Sequence, residues 1–306
     1  MNDLSSQIKK KALELGFSSC GICGCEPMQD NTQLFFENWL ENKHQANMQY
    51  LERNVSKRLN PRELIDFAES VIVVTLNYYN PNYLKNKKSS YSFAQYGLGA
   101  DYHKVIKEKL HFLADFISQQ EKNSRQKVFT DAVPAFEKQL AQRAGLGQIG
   151  HNTLLLTELG SYVFIGEIFT SLVLDYDKPL EKEICLHCNR CVNACPTKAL
   201  LSPYTLNTNA CIAYQTIENK EDTPQFIKEN IQEYIYGCDF CQRACPVNAK
   251  AEKSREKRFE TKSELLNWSD LQWENLSETD FQTIFQDSAV QRIGYEKLKR
   301  NIGNVM

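Results

Sequence analysis

The chain has 306 residues, 42% of them hydrophobic and 24% charged, with a formal net charge of −2. A near-neutral balance excludes a global polycationic surface, so any nucleic-acid contact needs a local basic face. No apolar run approaches the ~20 residues of a membrane helix, and the start, Met1-Asn2-Asp3-Leu4, shows no basic-then-apolar export pattern. Eleven cysteines fit a reducing compartment, so a cytoplasmic chain is expected, and separately a monomer. A helix is expected over 4–16, with Ile8, Ala12, Leu13 and Leu15 on its apolar side and Gly16 as its stop. A second is expected near 31–42, around Leu34, Phe35, Trp39 and Leu40. Ser70 to Tyr78 is a largely β-branched run, as in a strand buried on both faces. An amphipathic helix follows over about 101–120, with Val105, Ile106, Leu110, Leu113, Phe116 and Ile117 on one side. Lys127–Asp131 reads as a short strand, then a helix from Pro134, since proline suits a first helical turn. The glycine loop Ala144–Gly150 ends that helix, and the apolar runs 153–157 and 162–174 read as a strand pair.

The cysteines carry the strongest signal. Cys185-Leu-His-Cys188-Asn-Arg-Cys191-Val-Asn-Ala-Cys195-Pro196 is the complete bacterial ferredoxin run, in which three thiolates grip one iron–sulfur cluster and the fourth reaches another. A second copy, Cys238-Asp-Phe-Cys241-Gln-Arg-Ala-Cys245-Pro246, lacks its first cysteine, because Ile235 stands there. Cys211, alone between the copies, is the replacement. The expected partition is Cys185, Cys188, Cys191 and Cys245 on one 4Fe–4S cluster, and Cys195, Cys211, Cys238 and Cys241 on the other. Structural zinc sites pair two Cys-x2-Cys knuckles, and disulfide frameworks belong to short secreted chains; neither fits. Cys20, Cys23 and Cys25 read as buried free thiols.

Three segments are expected: an α/β domain over 1–175, a ferredoxin-like domain over 176–250, and a helical C-terminal segment over 251–306 with a capping box at Ser277-Glu-Thr-Asp280. The first domain must hold whatever spends the electrons. Gly145-Leu-Gly147-Gln-Ile-Gly150 follows a helix, which is not the context of a dinucleotide fingerprint, and reads instead as a close backbone approach to a large flat cofactor. Asp131, at a strand end beside Phe129 and Val133, is either a general acid with a raised pKa or the N-cap of the helix at Pro134. Two basic runs, Lys85-Asn-Lys87-Lys88 and the stretch with Lys250, Lys253, Arg255, Lys257 and Arg258, are solvated faces by default.

Met48-Gln-Tyr50-Leu-Glu-Arg-Asn54 with Arg58 and Pro61-Arg62, Asp101-Tyr-His103, the Asp131 segment, Arg143–Leu155, Gly160–Glu167, Cys211–Glu218 and Tyr236–Gln242 together resemble the epoxyqueuosine reductases, over nearly the whole chain. The resemblance implies a base-off cobalamin between the first domain and two 4Fe–4S clusters, with Asp131 as proton donor. Arg58, Asp131, Asn152, Leu155, Ile165 and Ala213 match its cofactor-lining positions. Asp101-Tyr-His103 lacks the later glycine of the Asp-x-His-x-x-Gly pattern that puts a histidine on cobalt. The chain departs from the family at Gln148, His151 and Val247, and it stops at Met306 where many members continue into helical repeats. The implied reaction is reduction of the epoxide at the tRNA wobble base to give queuosine and water, fed by an external low-potential electron donor. Anticodon phosphates would meet the basic run 250–258 and, more weakly, Lys104 and Lys107. The competing readings are a reductive dehalogenase-like cobalamin enzyme and a ferredoxin-type electron carrier.

Overall fold

The computed structural model describes residues 3–305, so the termini Met1, Asn2 and Met306 lie outside the described residues. The chain runs through α1 (Asp3–Glu14), β1 (Ser19–Gly24), β2 (Ser70–Asn77), β3 (Ser92–Phe93), α2 (Tyr102–Gln120) and β4 (Gln126–Phe129). It continues through α3 (Glu137–Arg143), β5 (Gln148–Ile149), β6 (Leu155–Leu156) and β7 (Val163–Thr170). Past the first cysteine run come α4 (Ile212–Ile217), β8 (Tyr234–Tyr236), α5 (Phe240–Arg243) and, at the end, α6 (Tyr295–Val305).

One antiparallel sheet, ordered β1-β2-β7-β4, organises the first half. The β-branched run forms β2, and it is buried on both faces because each face meets a layer. Ile72, Val74 and Leu76 join Phe164 and Ile168 against α1 and α2, whose Ile8, Val105, Ile106, Leu110 and Leu113 complete that core. Val71, Val73 and Phe169 face the other way, onto Leu140, Ala141 and Leu155 of α3 and β6. A Cβ at Gly166 would stand 2.7 Å from Ile106, so that glycine sets how closely α2 approaches the sheet.

Three local expectations are corrected. The helix placed at Pro134 begins at Glu137, after a loop carrying Asp131 with φ 49°, so Asp131 caps nothing. The apolar runs 153–157 and 162–174 do not pair as strands: β6 pairs with β5, while β7 pairs with β2 and β4. An isolated Thr157–Gly160 bridge closes the turn between them. Two of the loop glycines, Gly145 and Gly147, approach protein backbone, and Gly150 approaches the Leu156 side chain. A Cβ would lie 2.6 Å from the Lys178 carbonyl at Gly145 (φ 72°) and 2.4 Å from the Leu156 carbonyl at Gly147.

The second half is bound to the first by a core of its own. Tyr83, Tyr91, Phe93 and Leu98 pack with Ile235, Tyr236, Leu265, Trp273, Phe281, Phe285, Leu298 and Ile302. Here β3 pairs in parallel with β8. Ile235, at the place of the missing cysteine, is fully buried. The capping box forms as expected, with the Ser277 hydroxyl accepting from the Asp280 N–H.

Candidate active site

Asp131 sits just past β4, where the chain leaves the sheet. Its left-handed backbone is disfavoured for a residue with a side chain, and three contacts hold it. The Thr130 hydroxyl donates to the Ile165 carbonyl (2.7 Å), and the Asp131 N–H donates to Glu137 Oε1 (2.6 Å). The Tyr102 hydroxyl donates to Asp131 Oδ2 at 2.6 Å. Tyr102 is itself clamped, its ring stacked on His103 (centroids 4.0 Å) and on Phe164 (4.2 Å). His103 Nε2 lies 3.7 Å from Asp131 Oδ2, and its Nδ1 is 2.7 Å from Asp101 Oδ1. Asp101 is the N-cap of α2 and accepts the His103 N–H, so the helix start fixes this carboxylate.

The electrostatics differ from the sequence expectation. The protein packed around the Asp131 carboxyl would raise it even though the side chain is 64% exposed, but the His103 ring and the Tyr102 hydroxyl outweigh that and hold it below the usual range. His103 moves the opposite way: burial works against its charge, yet Asp101 and Asp131 lift it to about 9. Behind the loop, Glu137 and Glu167 are pushed up, by burial first and then by neighbouring carboxylates. Both Glu167 carboxyl oxygens are buried without a hydrogen-bond partner. Arg292 comes from the C-terminal segment, pairs with Glu218 at 2.5 Å, and lies within electrostatic reach of Asp131.

The other assigned residues fall on separate elements. Arg58, in the short helix Val55–Leu59, donates to the Tyr50 carbonyl at 3.4 Å, and its Nε is a buried donor without a partner. Asn152 is buried in the turn between β5 and β6, and its Nδ2 is also unpartnered. Leu155 lies in β6 and Ile165 in β7, while Ala213 occupies the first turn of α4 directly after Cys211. Sequence reasoning passed over Tyr102, Glu137, Glu167 and Arg292. His103 was noticed only as a ligand that cobalt lacks.

The cysteines gather in two groups. Cys185, Cys188, Cys191 and Cys245 line one cavity, together with His151, Asn152 and Leu156. His151 Nε2 and His187 Nδ1 stand 2.6 Å apart at its edge. Cys241 feels the thiols of Cys211 and Cys195, and Cys238 those of Cys211 and Cys241, so these four form the second group. Cys23 and Cys25 are buried in and after β1, Cys20 is half-buried, and all three are free, with burial pushing each thiol up to about 12. The basic run 250–258 is largely answered by acids: Lys253 by Glu260, Arg255 by Glu252, Arg258 by Glu256 and Glu108. Lys104 pairs with Asp287.

Two cysteine quartets in one fold with a held carboxylate and its imidazole define an iron–sulfur oxidoreductase. The family model described as "Epoxyqueuosine reductase QueG, DUF1730" matches residues 58–132, and that of the "4Fe-4S double cluster binding domain" matches 184–248. The chain belongs to the epoxyqueuosine reductase family. The Cellulophaga algicola epoxyqueuosine reductase is 40% identical over 97% of this chain and 96% of its own. That of Escherichia coli is 35% identical over 99% of this chain and 80% of its own. An epoxyqueuosine reductase crystallised with an epoxyqueuosine-modified tRNA-Tyr stem loop superposes with a TM-score of 0.90 at 25% identity, covering 99% of this chain and 80% of that one. The Streptococcus thermophilus enzyme gives 0.88 at 26%, covering 99% and 80%. Among the described residues no helix is long and apolar enough to cross a membrane.

Proposed function

We propose that this chain reduces the epoxide of epoxyqueuosine at the wobble base of a tRNA anticodon, using a base-off cobalamin and two 4Fe–4S clusters, and that Asp131 protonates the departing oxygen. The observation that carries the reading is the placement of Asp131. Its carboxyl is held on a strained, hydrogen-bonded loop with an imidazole 3.7 Å away, while its side chain remains 64% exposed toward an incoming substrate. A positioned acid of this kind contributes about 10²–10⁴-fold.

The residues fit a cobalamin. Arg58 Nε and Asn152 Nδ2 are buried donors left unpaired by the protein, and a corrin carries peripheral amide carbonyls that would accept from them. Leu155, Ile165 and Ala213 would supply apolar surface to the ring. His103 has both ring nitrogens turned to carboxylates, which supports a cobalt without a protein imidazole. When bound, the cofactor supplies a reduced cobalt centre able to attack or reduce an epoxide carbon. The two cysteine quartets would hold the clusters that deliver electrons singly from a low-potential donor. Lys253 and Arg255 can exchange glutamate for phosphate at little cost, because exposed pairs contribute only about 0–1 kcal/mol, whereas Arg258 is held by the largely buried Glu256.

Nucleoside mass spectrometry of tRNA from a strain lacking the gene tests the reading. Epoxyqueuosine should accumulate, wild-type chain should restore queuosine, and Asp131→Ala should not, although the purified variant still shows corrin bands. Normal queuosine in the deletion strain overturns the assignment.

A further inference from the structure

Reducing an epoxide to an alkene breaks both C–O bonds, forms the C=C bond, and releases the oxygen as water. The balance requires two electrons, here from the low-potential donor, and two protons. Asp131 has one carboxyl, and its surroundings hold that carboxyl ionised at rest. A neighbouring group that holds a proton at rest would recharge it.

We propose that His103 is the proton reservoir of this reaction, passing its Nε2 proton to Asp131, which delivers it to the epoxide oxygen. The inference rests on the reading of Asp131 as the acid, and the geometry is that of a relay at ion-pair distance, one small side-chain shift short of a hydrogen bond. The imidazole lies between two carboxylates, Nδ1 at 2.7 Å from Asp101 and Nε2 at 3.7 Å from Asp131. Asp101 cannot turn away, because it also caps α2. Tyr102 stacks on the imidazole and binds the same Asp131 oxygen that the imidazole faces, so ring and acceptor are held in register. The His103 side chain is 29% exposed, enough for bulk water to return a proton after each transfer. The charged groups facing this relay are few. Lys104 is turned to Asp287, Arg292 reaches Asp131 from the C-terminal segment, and Glu137 meets the Asp131 backbone, with Glu167 behind it. The two bracketing carboxylates favour the imidazolium, which is fully charged at neutral pH and is lost as pH rises through about 9.

The test uses the full chain loaded with cobalamin and clusters, turning over an epoxyqueuosine-modified stem loop. His103→Ala should lower kcat at least about tenfold, with cluster and corrin absorbance unchanged. Added imidazole, or a lower pH that protonates Asp131 directly, should restore much of the loss. Wild type should hold its rate to about pH 9 and decline above it, whereas the variant should decline from a lower pH. A second readout needs no turnover: in wild type the His103 ring, followed by NMR, should titrate near 9, and Asp101→Asn should bring it toward the ordinary histidine value of about 6.5. His103→Ala at full rate, or a loss that neither imidazole nor acid restores, overturns the proposal. Asp131→Asn, run in parallel, separates the two readings. If it turns over normally, the acid assignment itself has failed; if it is inactive while His103→Ala is not, only the reservoir has failed.

Discussion

An unpaired donor in a protein interior is a cost that only a partner removes, and Asn152 carries one. Its side chain gives the fold little in return, since its one acceptor bond, from the Leu154 N–H, is long at 3.3 Å. Asn152→Ala should therefore leave the thermal midpoint of cofactor-free protein nearly unchanged while weakening cobalamin binding about tenfold, near 1.4 kcal/mol. A spectrophotometric titration reads the affinity; equal affinity in variant and wild type removes Asn152 from the cofactor site. At this scale Asp131 was legible, because strand ends are where ligands gather in α/β sheets. Its charge state was not. Sequence shows the apolar neighbours Phe129 and Val133, but the groups that set its pKa come from α2, 29 residues back for Tyr102, and from the far C-terminal segment. The Asp101-Tyr-His103 motif could have given the relay, since a carboxylate capping a helix two residues before a histidine is positioned to meet its ring.

Among the elements, the β5–β6 hairpin shows how tightly the loop is built. At Gly147 an added Cβ would stand 2.4 Å from the Leu156 carbonyl, a backbone atom that cannot swing aside. Gly147→Ala should open the hairpin and cost about 1–3 kcal/mol, seen as a fall of several degrees in thermal midpoint. An unshifted midpoint would show that the hairpin tolerates the extra carbon. The central strand β2 and the long helix α2 were readable, because an eight-residue β-branched run and a 19-residue amphipathic stretch each dictate one burial pattern. Short elements were not. Leu155-Leu156 looks like part of a strand beside 162–174, yet an apolar pair does not say which backbone it will bond. Pro134 suits a first helical turn, but Asp131 needs the loop length that delays the helix to Glu137.

For the whole molecule, the C-terminal segment is half of a core, not an appendage. Asn301 of α6 is fully buried, and its amide donates to the Thr216 carbonyl at 2.8 Å and the Ile235 carbonyl at 2.9 Å. It thus ties the last helix to α4, which follows Cys211, and to β8, which precedes Cys238. Asn301→Leu would strand two buried carbonyls at about 1–3 kcal/mol each. The thermal midpoint should fall and cluster absorbance should be lost at the same lower temperature. Clusters retained well above the unfolding midpoint would show that the two are uncoupled. The cysteine spacing made the cluster module legible, but it could not show that residues 83–98 and 265–302 would share its support.

The parallel pairing of β3 with β8 carries a consequence for the newborn chain. Ser92 and Glu233, which bond at this ladder, are 141 residues apart. Contacts of such separation form late, because the chain between them must first be drawn in. During synthesis, Tyr91 and Phe93 leave the ribosome long before Tyr234–Tyr236 exists to cover them, and before Cys238 and Cys241 exist to hold iron. The sheet of the first half can close early, while the aromatic edge waits beside it. Metal delivery that runs ahead of this closure would meet only the cluster cysteines already made, Cys185 to Cys195 and then Cys211.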